Sequence, residues 1–141
     1  MFYLSNNVAF TLVADSTVSA GTIVPQGGSS LTNSSINGNY LGATLQTVLP
    51  TVTVEADSGN ADGSGNLSLF YDISGPGGPQ QGLTAIATYS VDSAGRAPLI
   101  VNGNTIGIAY VANAAANGLA TSGKVLVLST DANPKINDLE K

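Results

Sequence analysis

Apolar and polar positions in this chain alternate in short runs instead of recurring at helical spacing. In the stretch 84–91, Ile86 shares one face with Thr84, Thr88 and Ser90, while Ala85, Ala87, Tyr89 and Val91 line the other. That period of two marks a half-buried strand. The run 125–128 is apolar at every position, which predicts a strand covered on both faces. No apolar period of 3.6 persists for three turns, because Gly, Asn and β-branched residues interrupt each window. The Ala-rich stretch 112–120, broken by Asn113, Asn117 and Gly118, reads as a loop or a single helical turn. Strands are predicted at 2–5, 8–14, 20–24, 39–48, 51–56, 66–73, 83–91, 97–102, 105–111, 124–130 and 135–139.

Turn clusters separate these runs: Ser5-Asn6-Asn7, Gly27-Gly28-Ser29-Ser30, Gly75-Pro76-Gly77-Gly78-Pro79 and Asn102-Gly103-Asn104. An Asn-Gly pair accepts positive φ at both central positions, so 99–106 predicts a tight hairpin with a type I′ turn. Two further turns share one design. Asp62 with Gly65, and Asp92 with Gly95, each set a side-chain cap at the turn entry and a left-handed residue three positions on. The expected fold is all-β: an antiparallel β-barrel first, or a β-sandwich, of about 8–10 short strands.

A longer echo runs between the ends of the chain. Residues 8–15 match 124–131 in pattern, and each is preceded by an aromatic strand, Phe2-Tyr3-Leu4 or Ala109-Tyr110-Val111. Such repetition predicts an array. On this reading residues 1–25 carry the closing hairpin of a preceding unit and 26–141 form one β domain. The chain resembles tandem all-β repeats of very long secreted proteins of acidobacterial type, through 34–41, 61–67, 87–96 and 125–131. The resemblance implies an extracellular or cell-surface module and brings no catalytic residues. Ala97-Pro98 departs from its pattern, and proline there is expected to push its strand toward a sheet edge.

Composition narrows the chemistry. With no Cys and no His, disulfides, thiolate metal sites and imidazole catalysis are excluded. Charged residues make up 9% of the chain, against roughly 25% in an average soluble protein. Its four basic residues (Arg96, Lys124, Lys135 and Lys141) form no stripe for nucleic acid or anionic lipid. No apolar run is long enough for a membrane-spanning helix, so no membrane insertion is expected. The first ten residues lack the basic start and small-residue cleavage site of a secretory signal; a signal would lie upstream.

Few side chains suggest a site. Asp57 and Asp62, in an acidic stretch read as a hairpin loop, are the candidate calcium ligands, although the loop lacks the closing Glu of an EF-hand. Asp92 and Arg96 flank one turn as a local pair, and Asn33 and Asn66 head formal glycosylation triplets. Catalysis would need two carboxylates converging in one cleft. The expected role is therefore non-enzymatic and cofactor-free: a structural module of a surface array or filament. Its partners are copies of itself or adjacent repeats, joined through Phe2, Tyr3, Val8, Phe10, Leu12, Val125 and Val127. The strands of 2–24 either extend the domain's own sheet or pair with a neighbour's edge. The alternative is a secreted binding module for a small apolar ligand or glycan, with a cavity lined by Tyr40, Tyr71, Tyr89 or Tyr110.

Overall fold

A computed structural model describes residues 2–5, 8–13, 19–23, 26, 30–45, 53–114, 122–130 and 135–141, with residues 2–23 described through their strand backbone. The first three strands, β1 (Phe2–Ser5), β2 (Val8–Val13) and β3 (Ser19–Ile23), form an antiparallel sheet in that order. A short 3₁₀ turn, Asn33–Ser35, leads into eight more strands. These are β4 (Asn37–Thr44), β5 (Val54–Asp62), β6 (Asn66–Gly75), β7 (Gly78–Tyr89), β8 (Arg96–Val101), β9 (Asn104–Ala114), β10 (Ser122–Ser129) and β11 (Ile136–Glu140). Each pairs antiparallel with the next, and β11 returns to β4 through Asn137↔Thr44 to Glu140↔Leu41. The result is a closed eight-stranded up-and-down barrel, which decides between the two predicted architectures.

Alternation places the side chains. On β7, Ala87 and Tyr89 point inward at 0% and 5% exposure, while Ile86 points outward at 73%. The 125–128 run differs from expectation. Val125 is buried inside the barrel, but Leu128 is exposed on its outer face, so only one face of β10 is covered. Val125 and Val127, predicted to join subunits, belong to a strand paired on both sides by β9 and β11. With no free edge, that strand has no ladder to offer a neighbour; Val125 lies in the core and Val127 packs against it.

One end of the barrel is plugged. Leu31 and Ile36 flank the 3₁₀ turn and are buried against the core. The Tyr89 hydroxyl donates to the Ile36 carbonyl at 2.6 Å. Asn33 works in both directions, accepting from the Val91 amide at 2.8 Å and donating to the Ser64 carbonyl at 3.1 Å. The two predicted Asp/Gly turns lie at this end. Asp62 Oδ1 accepts from the amides of Ser64, Gly65 and Asn66, and Asp92 Oδ1 from those of Ala94 and Arg96. Both predicted glycines have positive φ, and a Cβ on Gly65 would meet the Tyr89 carbonyl at 2.8 Å. Asp92 thus meets the Arg96 backbone amide in capping its turn. Asn66 donates its side-chain amide to Asp62 Oδ2 at 2.5 Å, so both formal glycosylation amides are engaged within the fold.

Other local expectations meet mixed outcomes. Asn102 and Gly103 have φ of 50° and 80°, closing the predicted two-residue hairpin between Val101 and Asn104. Pro98 does not sit on an edge strand. Instead the β7–β8 ladder is reduced to Thr88↔Ile100 and Tyr89↔Leu99, stopping one residue short of the proline that has no N–H to give. The predicted loop 112–120 begins as strand, because β9 runs to Ala114, and 115–120 lie outside the described residues. The predicted turns at 6–7 and 27–29 lie outside them as well.

The N-terminal sheet repeats the pairing of the barrel's last three strands. One residue shift carries the pair Ala9↔Ile23 onto Val125↔Leu139 and Phe10↔Thr22 onto Leu126↔Asp138. Tyr3 opposes Phe10 as Tyr110 opposes Leu126. The backbone of β1–β3 is therefore paired as β9–β11 is, and among the described residues it is hydrogen-bonded into its own sheet, separate from the barrel.

The plug supplies a stability test. Tyr89→Phe keeps the ring and orphans the buried Ile36 carbonyl, so unfolding in urea should show a loss of about 1–3 kcal/mol with an unchanged m-value.

Candidate functional site

The opposite end of the barrel holds a cavity of about 360 Å³. Its origin is in the sequence. Eight strands enclose an interior that ordinary side chains just fill, but here Ala85 and Gly107 stand on its wall. Leu67, Leu69, Leu99, Val127 and Leu139 form its apolar lining. Gly42 and Gly59 lie between these side chains: a Cβ at Gly42 would collide with Leu139, and one at Gly59 would press on Leu69 at 3.2 Å.

A polar cluster occupies one wall. Glu55 and Asp57 stand two residues apart on β5, so both face inward. Lys135, just before β11, meets Glu55 Oε1 at 2.6 Å. Asn137 donates through Nδ2 to Glu55 Oε2 at 2.8 Å and to Asp57 Oδ2 at 3.1 Å. Thr44 completes the arrangement: its hydroxyl donates to Asn137 Oδ1 at 2.9 Å and accepts from the Glu55 amide at 2.9 Å. The cluster ties β4, β5 and β11 together across the seam that closes the barrel.

Charge in the cluster is uneven. Two carboxylates share one ammonium, and Glu55 holds that ammonium directly. Burial pushes the Asp57 carboxyl up to about 6, with the Glu55 charge adding to the rise; Lys135 and the Asn137 hydrogen bond pull the other way and do not overcome it. Asp62 shows the opposite. Its hydrogen bonds from the Asn66 side chain and from turn amides hold it down to about 2.

The calcium expectation for Asp57 and Asp62 is thereby corrected. They lie on a continuous strand, not a loop, five residues or roughly 17 Å apart at strand rise. Asp57 faces the cavity and Asp62 caps a turn at the plugged end, so they cannot share an ion. Pairing to β4 on one side and β6 on the other holds residues 57–62 extended, overriding the weak strand preference of Asp, Ser, Gly and Asn. Among the described residues no three His, Cys, Asp or Glu side chains gather as a metal site.

Of the four tyrosines expected around a ligand, Tyr71 lines the cavity. Tyr40 and Tyr89 are buried toward the plug, and Tyr110 faces outward at 41% exposure. Phe2, Tyr3, Val8, Phe10 and Leu12 stand on strands of the N-terminal sheet, and their side chains lie outside the described residues. Sequence reasoning missed Lys135 and Asn137. A partial signal was present: Glu55-x-Asp57 and Lys135-x-Asn137 each carry polar residues at strand spacing, which puts both members of a pair on one face. Two carboxylates do converge here, the condition set for catalysis. Both oxygens of Glu55 are committed to Lys135 and Asn137, which suits it to holding the wall.

No protein family, curated protein or solved structure matches the chain.

The raised Asp57 carboxyl sets a pH signature. Between about pH 4 and 6 the folded protein keeps a proton at Asp57 that the unfolded chain has released. This group therefore makes stability fall as pH rises through that window and stay lower above it. Asp57→Asn should remove the fall, giving a higher Tm than the parent at pH 8 and convergence of the two near pH 4 in thermal melts.

Proposed function

We propose that this protein is a non-catalytic binding module that takes a small, largely apolar molecule into the open end of its barrel. The observation that carries the reading is the cavity of about 360 Å³, within the range of small-ligand sites, which run from about 300 to 1,000 Å³. Its apolar walls supply burial, and the polar cluster on one side supplies orientation. The plug at the other end makes it a pocket instead of a channel. Low charge and the absence of Cys and His support a secreted or cell-surface setting over a catalytic one. The test is titration with prodan, a neutral naphthalene dye. Saturable binding with enhanced fluorescence is expected, and Ala85→Phe, which fills the cavity, should abolish it while leaving the far-ultraviolet spectrum intact. Failure of the folded parent to bind, or unchanged binding by Ala85→Phe, overturns the reading.

A second reading has its own support. The barrel has no edge strand to offer, but the β1–β3 sheet has two, β1 and β3, and its register copies β9–β11. That favours a building block of a surface array or filament, with contacts between copies or adjacent repeats made through β1–β3. Light scattering on the full chain and on one lacking residues 1–25 decides it. High oligomers of the former and folded monomers of the latter are expected, whereas monomers of both remove the reading.

A further inference from the structure

We infer that the cavity selects an amphipathic monoamine, whose ammonium group sits between the Asp57 carboxylate and the Tyr71 ring while its apolar body enters the barrel. The inference deepens the binding reading above and rests on it.

Three features of the wall carry it. First, Asp57 and Tyr71 are direct cross-strand partners on β5 and β6, and both line the cavity. An inward carboxylate beside an aromatic ring offers a cation an ion pair and a π-face together. On its other side Asp57 opposes Gly42, where the Leu139 side chain packs in the place a Cβ would take.

Second, the cluster's own cation is held by Glu55 and offsets the Asp57 charge only in part. Lys135 meets Glu55 at 2.6 Å, while the group that meets Asp57 is the neutral amide of Asn137. With both carboxylates ionised, the described residues of the cavity wall carry one negative charge in excess. An anionic ligand would add to it, a neutral one would leave it uncompensated, and a monocation would cancel it.

Third, the apolar remainder of the cavity sets the rest of the ligand. Leu67, Leu69, Ala85, Leu99 and Val127 give no hydrogen-bonding side chain, and of the hydroxyls that also line the cavity Ser129 accepts from the Lys135 amide and Thr130 donates to the Thr105 carbonyl. The occupant thus has one polar end and an alkyl or aryl body, and a sugar with hydroxyls all around fits poorly.

Among the described residues, the titratable groups facing Asp57 are Glu55 on its own strand, Lys135 before β11 and Tyr71 on β6. Asp57, its carboxyl pushed up to about 6 by burial, gains its charge as pH rises through that value. Amine preference should therefore be strong at pH 8 and fade at pH 5.

The experiment is displacement of prodan from the full chain by three molecules of matched size: 2-phenylethylamine, 2-phenylethanol and phenylacetate. At pH 8 the amine should displace the dye at roughly tenfold lower concentration than the alcohol, with phenylacetate weakest. Asp57→Asn should bring amine and alcohol level. Tyr71→Leu should reduce the amine's advantage, and Tyr71→Phe, which keeps the ring, should restore it. Equal displacement by amine and alcohol on the parent protein overturns the amine inference and leaves the apolar binding reading standing. Preference for phenylacetate overturns the inference in favour of recognition by Lys135. Absence of dye binding removes both. Because the pH 5 comparison uses the unaltered protein, the inference remains testable even if a substitution at Asp57 or Tyr71 prevents folding.

Discussion

Everything in this molecule depends on the ladder that joins β11 to β4. Seven of the eight barrel ladders connect strands that follow one another along the chain, and each could form as a local hairpin. The eighth joins residues nearly a hundred positions apart, and it converts an open sheet with two raw edges into a surface without any. The polar cluster crosses this seam: Asn137 on β11 bonds Thr44 on β4 and both carboxylates on β5. Closure and the candidate binding site are thus the same set of contacts, seen from the ladder side and from the cavity side.

The two ends of the barrel solve different problems with the same residue types. At the plugged end, Asp62 and Asp92 spend their lone pairs on turn amides, and Asn33 and Tyr89 pin a segment over the core. Most of these bonds hold backbone, and Asp62 Oδ2 takes the Asn66 side chain. At the open end, Glu55 is likewise satisfied by Lys135 and Asn137, but among the described residues Asp57 accepts a side-chain hydrogen bond from the neutral Asn137 amide and keeps an expensive charge that Lys135 offsets only in part. The asymmetry gives the cavity its chemical character.

Much of the fold was legible because strands and tight turns are written locally. The alternation at 84–91, the Asn102-Gly103 hairpin and the paired Asp/Gly turns follow from short-range rules. The barrel over the sandwich was a matter of which strand meets β4, and no local pattern names that partner. The site was harder to see. Asp57 sits in a run of Asp, Ser, Gly and Asn that every propensity assigns to a loop, and pairing on both sides turns it into an inward-facing strand residue. Lys135 and Asn137 are distant in sequence from Glu55 and gain meaning when the seam brings them alongside. Val125 and Val127 looked like joining residues because their apolar strand echoes residues 8–15, and an apolar strand of that pattern equally describes a barrel wall.

Because β11 is the strand that fastens the ring, the barrel cannot be completed on a ribosome until the last part of the unit has emerged. Until then β4 and β10 stand as unpaired edges on a seven-stranded sheet. That is slow, non-local assembly of the kind that exposes a chain to mispairing. The hazard has a particular form here, since β1–β3 carries the register of β9–β11 and reaches solvent first. A nascent chain therefore holds a near-copy of its own closing strands upstream of the sheet they belong to, and correct folding is a competition in time between the early copy and the late original.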